Sequence, residues 1–317
     1  MTWRGIDFFP HNLKFPFSKW MAFAVIGSLL LNVASVGLAL TRGINFSIDF
    51  KGGTLIEIHN KAGVADVGDL RSRIGALGLG AAQIQSLDDG TNALIRLELQ
   101  PGGDKAQVAA VDKVKALLGD TVEYRRIDAA GPTVSSEITK TAFYAVLASL
   151  LAISAYVWFR FEWQFALGAS LALIHDVLMT VGVFALTQLE FDNNCIAALL
   201  TIVGYSINDT VVVSDRIREN LRKYKKMLLP DLIDQSINET LSRTVLTAGT
   251  VIIALLALLF FGGSVIRSFV LAMLFGIITG TYSSIFIASP VLEWLGVKRD
   301  WSGNKPAVSA GTAPKGA

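Results

Sequence analysis

Six apolar segments constrain the fold of this sequence more than any other feature. They lie at about residues 20–40, 141–159, 164–186, 195–213, 244–261 and 268–289. A helix needs about 20 largely apolar residues to cross a bilayer. Of the 317 residues, 52% are hydrophobic and 17% are charged, whereas soluble domains carry about 25% charged residues. The sequence therefore predicts a polytopic α-helical membrane protein, with transmembrane helix 1 at 20–40 and helices 2–6 within 141–292.

Basic residues in the connections predict the orientation of these helices. The segment 214–243 contains seven Lys and Arg residues, whereas the connection 188–194 contains none. Short loops rich in Lys and Arg remain in the cytoplasm. We therefore expect 214–243 to be a basic cytoplasmic segment, with the N-terminal tail 1–19 and the C-terminal tail 293–317 on the same side.

Two of these basic regions allow a more specific prediction. Basic and apolar side chains are interleaved at residues 216–226, which is typical of an interfacial helix on anionic lipid headgroups. Nucleic-acid binding is not expected, because no aromatic platform accompanies the charges. After Asp300 the tail is rich in Gly, Ala, Ser and Pro, which predicts disorder.

The segment between the first two spans, residues 41–140, predicts a separate domain across the membrane. Asp66 is predicted to cap a helix, and Asp88-Asp89-Gly90 is predicted to form the turn between two strands. Strands and helices are predicted in the order β-α-β-β-α-β, at 53–59, 66–77, 82–87, 93–99, 104–118 and 121–127. This order is that of a ferredoxin-like α+β domain.

Two acidic residues lie where the chain should cross the bilayer. Asp209 is inside the fourth apolar segment, and Asp176, next to His175, is inside the third. Carboxyl groups are costly in a bilayer, and they mark proton or ion pathways or hold helices together. For Asp209 we favour proton exchange. For Asp176, a relay with His175 and a polar clamp between helices are equally consistent with the sequence.

Three motifs resemble those of one known family. Residues 48–54 are Ile-Asp-Phe-Lys-Gly-Gly-Thr, residues 204–210 are Gly-Tyr-Ser-Ile-Asn-Asp-Thr, and residues 238–244 are Asn-Glu-Thr-Leu-Ser-Arg-Thr. Their order and positions resemble those of the SecD/SecF family of protein-export membrane proteins, part of the RND superfamily. The Asn-Asp pair at 208–209 is similar to the SecF branch of that family rather than to the SecD branch.

The resemblance implies a role in bacterial protein export. Members of the SecF branch pair with SecD and associate with the SecYEG channel and YajC in the inner membrane. Together they draw unfolded preproteins outward, using the proton motive force. The resemblance also implies a proton pathway in which Asp209 carries the proton, Arg243 is its mobile basic partner, and Asp176 and Asn208 contribute. It implies neither a cofactor nor an enzymatic activity.

The pair Gly52-Gly53 next to Phe50 predicts an unusual backbone conformation at the base of the outer domain. A tight turn and a hinge between domain and membrane both fit this pattern. Two other functions remain open from the sequence: a subunit of an RND-type proton-driven exporter, and a passive membrane assembly scaffold. A scaffold should tolerate Asp209→Asn, whereas a proton-driven machine should not.

Overall fold

The computed structural model describes residues 13–297, apart from 62, 81, 88, 89 and 264. The predicted disorder after Asp300, most of the N-terminal tail, and Asp88 and Asp89 of the predicted turn lie outside the described residues. Among the described residues, six helices are long and apolar enough to span a membrane. A four-stranded sheet with two helices lies between the first and second of them. The predicted fold class is therefore confirmed.

The helices of the membrane bundle have the following bounds. They are α1 (Ser18–Thr41), α5 (Pro132–Arg160), α6 (Trp163–Thr187), α7 (Asn193–Lys223), α8 (Leu229–Phe261) and α9 (Arg267–Ser283). A single π-helical turn (Ser284–Ala288) and α10 (Ser289–Trp294) continue α9 without a break, so that Arg267–Trp294 forms the sixth span.

The bundle has three inner and three outer helices. Between 44% and 56% of the apolar window is buried in α6, α7 and the sixth span, compared with 11–17% in α1, α5 and α8. Small residues allow the inner helices to approach closely: a Cβ atom at Gly276 of α9 would lie 2.3 Å from the Ile202 side chain of α7. The polar residues of the bundle interior are therefore concentrated on the inner helices.

The α+β domain consists of β1 (Gly53–Asn60), α3 (Val67–Gly75), β2 (Ala82–Leu87), β3 (Asn92–Leu97), α4 (Asp104–Leu118) and β4 (Val122–Ala130). All three strand pairs are antiparallel, in the order β2-β3-β1-β4. This is the sheet order of a ferredoxin-like split unit. The two helices bury apolar residues such as Leu70, Ile74 and Val114 against the sheet, and the side chain of Asp66 caps α3 as expected.

A short linker joins the domain to the bundle. It contains one helical turn, α2 (Ile48–Lys51), and ends at Gly52, next to Gly53, the first residue of β1. The linker also pairs with the connection between α6 and α7: the N–H of Ser47 donates to the carbonyl of Phe191, and the N–H of Phe191 donates to the carbonyl of Asn45. The domain is therefore fixed to the end of the bundle where α7 begins.

The interfacial helix predicted at 216–226 is instead the last part of α7 and the turn that follows it. Helix α7 continues through Lys223, and α8 begins at Leu229, so residues 214–243 form a helical hairpin that extends the fourth and fifth spans. Ile217, Leu221 and Leu232 are buried inside this hairpin. Their apolar side chains pack between the two helices, which leaves the basic side chains on the outside.

Candidate functional site

Asp209 lies in the middle of α7 and is only 2% exposed. Its closest described hydrogen-bond partner is Thr281 of α9, whose Oγ1 donates to Oδ2 over a long distance of 3.5 Å. Arg243 of α8 is near enough to act on the carboxyl group electrostatically. Asp209 is thus a buried acid with a single weak hydrogen bond among the described residues.

Arg243 does not form an ion pair with Asp209 in this structure. No carboxylate among the described residues lies within 4 Å of its guanidinium group. The residue is exposed and lines a cavity of about 510 Å³ between α7 and α8, together with Val211 and Val212. The two members of the predicted pair are therefore close together but separate, on neighbouring helices.

Asp176 of α6 is held much more firmly than Asp209. Ser206 of α7 donates its Oγ–H to Oδ2 over 2.6 Å, and Ser283 of α9 donates to the same oxygen over 2.8 Å. Oδ1 lies 3.0 Å from Nδ1 of His175. Asp176 is completely buried, so this cluster joins all three inner helices around one carboxyl group. The contact to Ser206 fits a polar clamp between helices, and a relay with His175 stays a prediction.

His175 extends the cluster towards α1. Its ring lies 6.0 Å from the ring of Tyr282, and the hydroxyl of Tyr282 contacts Ser28 and the carbonyl of Ala24. Nε2 of His175 is buried and has no hydrogen-bond partner among the described residues. The polar cluster therefore reaches four helices of the bundle.

Asn208 is separated from this interior. It is exposed, whereas Asp209 and Thr210 beside it are buried, because adjacent residues project about 100° apart on a helix. The structure thus brings together Asp209, Thr281 and Arg243 in one region and Asp176, Ser206 and Ser283 in another. Asn208 lies on the outer surface of α7, and its part in a proton pathway stays a prediction.

The two glycines of the linker have backbone conformations that require glycine. Gly52 has φ 74° and Gly53 has φ 125°. A Cβ atom at Gly53 would lie 2.5 Å from the carbonyl oxygen of Leu97, and one at Gly52 would lie 2.8 Å from the Leu99 side chain. Both glycines are buried, so this geometry favours a fixed turn over a hinge.

Phe50 belongs to an aromatic cluster where the linker meets the bundle. Its ring centroid lies 5.5 Å from that of Phe46 and 5.8 Å from that of Phe191. Phe184 of α6 packs edge-on against Phe191 with centroids 5.1 Å apart. The aromatic residue of the motif therefore anchors the linker on the bundle.

Several important residues were not found from the sequence. Asp49, within the glycine motif, accepts a hydrogen bond from the N–H of Asn193 at the start of α7. Arg96 of β3 forms an ion pair of 2.6 Å with Glu190 in the α6–α7 connection. The acid three residues before the glycine pair is a usable signal for the first contact, but nothing in the sequence relates Arg96 to Glu190.

Comparisons with known proteins agree with this architecture. Residues 110–298 match the family model described as protein export membrane protein SecD/SecF, C-terminal, and residues 37–59 match the SecD/SecF GG motif. The protein translocase subunit SecF of Rhodobacter capsulatus is 44% identical over 94% of this chain and 94% of its own length. That of Cereibacter sphaeroides is 45% identical over 97% of this chain.

A solved structure is also similar. The crystal structure of SecDF from Thermus thermophilus, a translocon-associated membrane protein, superposes with a TM-score of 0.79 at 37% identity, over 91% of this chain. This chain spans only 40% of that longer SecDF chain.

The fold and the buried acids thus define a class of membrane protein: six spans with a ferredoxin-like domain between the first two and ionisable groups in the bundle interior. The chain belongs to the SecD/SecF family, and within it to the SecF protein translocase subunits.

Proposed function

We propose that this protein uses the proton motive force, together with SecD, to drive preprotein translocation through SecYEG. In this proposal the protein is a multi-pass protein of the bacterial inner membrane. The α+β domain is periplasmic and both termini are cytoplasmic. The substrate is an unfolded preprotein, and YajC is a further partner.

The observation that carries the proposal is the contrast between the two buried acids. Asp176 contacts three side chains at 2.6–3.0 Å, whereas Asp209 accepts one hydrogen bond of 3.5 Å among the described residues. A carboxyl group with few fixed partners can gain or lose a proton without breaking a network. Asp209 is therefore the group suited to carry a proton.

In this proposal Arg243 is the group that moves when Asp209 gains or loses its proton. An ionised Asp209 attracts the guanidinium group, and protonation removes the attraction. Moving one charge across 100 mV is worth about 2.3 kcal/mol. One proton per step is thus sufficient to bias a conformational equilibrium by more than tenfold, without ATP.

The contacts of α7 provide a route from Asp209 to the α+β domain. The first turn of α7 is bound by Asp49 of the linker, and the linker continues directly into β1. A displacement of α7 would therefore reach the domain through a short run of backbone. In the proposal this movement helps to hold and release the emerging preprotein.

A partner in the membrane is expected from the lengths of the relatives. The SecDF subunit of Brucella abortus is 42% identical over 93% of this chain, which covers only 39% of that protein. The rest of such a chain is available to form the other half of the complex. The outer helices α1, α5 and α8 expose large apolar side chains, such as Phe23, Phe143 and Phe260, which lipid and this second half would cover.

The test is preprotein translocation into sealed inverted vesicles under an imposed proton gradient. Wild type is compared with Asp209→Asn at matched expression, with co-purification of SecD as the check of assembly. The expected result is loss of the gradient-dependent part of translocation in Asp209→Asn.

The control is Asp231→Asn, which removes an exposed acid near the start of α8. It should retain gradient-dependent translocation. If Asp209→Asn also retained it, the protein would be a passive scaffold, and Asp209 would only help to hold the helices together.

A further inference from the structure

The cavity between α7 and α8 contains a balanced set of charges. It lies at the end of the bundle away from the α+β domain and has a volume of about 510 Å³. Its lining includes three basic and three acidic side chains: Arg160, Arg216, Arg243, Asp215, Glu219 and Glu239. The numbers of basic and acidic side chains in the lining are equal only when Arg243 is included.

All the basic side chains of this cavity except Arg243 already have an acidic partner. Arg216 bonds to Glu239 and to Glu219, both over 2.6 Å. Arg160 lies 3.8 Å from Asp215. Arg243 lines the same cavity, but no described carboxylate lies within 4 Å of it.

Glu239 is the acid best placed to receive Arg243. It lies four residues before Arg243 on α8, and a Glu located N-terminal to a basic residue at this spacing is the favourable orientation for a helical ion pair. Oε2 of Glu239 is occupied by Arg216 and Asn220, whereas Oε1 accepts a bond from Gln235. A carboxylate oxygen can accept two hydrogen bonds, so Oε1 retains room for a guanidinium N–H.

We propose that Glu239 is a second counter-ion of Arg243, which occupies one position at Asp209 and another at Glu239. This inference rests on the proposed proton-driven function. When Asp209 is ionised, Arg243 is drawn into the bundle. When Asp209 is protonated, Arg243 pairs with Glu239, and the charges of the cavity are balanced.

Glu239 faces other charges that act on it in every state. On the cavity side these are Arg160 of α5 and Asp215, Arg216 and Glu219 of α7. On its other side, a second cavity contains Lys14, Asp231 and Asp234, and Lys223 of α7 also acts on it. None of these residues is substituted in Glu239→Gln. The effect of this variant on pH dependence therefore reports the loss of one carboxylate.

The test is the pH dependence of gradient-driven translocation for Glu239→Gln, assembled with SecD. Loss of the second counter-ion leaves Arg243 at Asp209, so a higher proton concentration is needed to displace it. The pH of half-maximal translocation should move to more acidic values, by about 0.2–0.4 pH units for one helical ion pair. A purely structural role would lower the rate at every pH without moving the midpoint.

Arg216→Gln provides a second test, in which the pH of half-maximal translocation should shift in the opposite direction. It removes the cation that competes for Glu239, so Arg243 should leave Asp209 more readily and the midpoint should move to more alkaline values. The control is Glu123→Gln, which removes an exposed acid of β4 in the α+β domain. Its midpoint should equal that of wild type.

The outcomes separate this inference from the function on which it rests. Opposite shifts in Glu239→Gln and Arg216→Gln support the second counter-ion, and the Arg216→Gln shift decides the matter if Glu239→Gln does not assemble. Unshifted midpoints overturn it, provided that Asp209→Asn abolishes gradient dependence. If Asp209→Asn is fully active, the proposed function and this inference are both wrong.

Discussion

Asp176 and Asp209 are both buried in the membrane-spanning bundle, but they differ in how firmly they are held. Asp176 connects α6, α7 and α9 through Ser206 and Ser283. Within the part of the chain that the structure describes, Asp209 accepts one long hydrogen bond, from Thr281. Because hydrogen bonds between helices in a bilayer stabilise by about 0.6 kcal/mol each on average, the bonds of Asp176 to Ser206 and Ser283 contribute about 1 kcal/mol. At the scale of single residues, these contacts favour a structural clamp over a relay as the role of Asp176.

The clamp predicts a loss of stability when Asp176 is truncated. Asp176→Ala removes the carboxylate partner of Ser206, Ser283 and His175 and should lower the free energy of unfolding by about 2 kcal/mol. The measurement is the thermal unfolding midpoint of the purified protein in detergent.

Thr180→Val is the matched control for this variant. Thr180 is buried one turn further along α6, and among the described residues its hydroxyl bonds only to the carbonyl of Asp176 in the same helix. This change should cost about 0.5 kcal/mol or less. An Asp176→Ala protein of normal stability that had lost gradient-driven translocation would favour the relay instead.

At the scale of helices, close contact between α7 and α9 holds Asp209 next to Thr281. A Cβ atom at Gly276 would lie 2.3 Å from the side chain of Ile202, and one at Gly280 would lie 3.1 Å from the Cβ of Ser206. By contrast, Gly204 and Gly249 have no described atom within 4 Å of such a position. Of the four glycines of α7, α8 and α9, Gly276 and Gly280 thus serve close packing.

Gly276→Ala should separate these two helices. The added methyl group requires movement of Ile202 or of the helix, and overpacking of this kind costs about 1–3 kcal/mol. We expect a lower thermal unfolding midpoint and weaker gradient-driven translocation, because Asp209 moves relative to α9.

Gly249→Ala adds the same methyl group at a position where no described atom lies within 4 Å of it. It should be neutral or stabilise α8 by up to about 1 kcal/mol, through the higher helix propensity of alanine. Equal midpoints for the two variants would contradict the role of Gly276 in packing.

The bundle illustrates what can be predicted from a sequence of this kind and what cannot. Hydropathy located all six spans and alternation located the strands, because both patterns are local. Hydropathy predicts that the fourth span ends near Val213, although α7 continues to Lys223. The prediction falls short because a helix that leaves the bilayer no longer needs apolar residues on every side. The partners of Asp176 were only partly predicted, because Ser283 is 107 residues away and meets it only in the folded bundle.

At the scale of the whole molecule, the α+β domain is tied to the bundle by a small set of contacts near the start of α7. The linker contributes Asp49, the aromatic cluster contributes Phe50, and the sheet contributes Arg96 through its ion pair with Glu190. Glu190 lies in the α6–α7 connection, outside the spans. Burial raises the pKa of Glu190 above its ordinary value of 4.5, an effect that outweighs the opposing influence of Arg96.

The raised pKa of Glu190 predicts that attachment of the domain depends on pH. In the folded protein Glu190 retains its proton to a higher pH than in the unfolded chain, so stability decreases as the pH rises from about 4.5 through the raised pKa. Glu190→Gln remains neutral and should lose this dependence. The thermal unfolding midpoint of wild type should therefore fall relative to that of Glu190→Gln as the pH rises from about 4.5 to about 7.5.

Glu123→Gln, which removes an exposed acid of β4, should follow wild type throughout. Parallel curves for wild type and Glu190→Gln would show that burial of this carboxylate does not govern the attachment, and that the backbone pairing of the linker holds the domain in place.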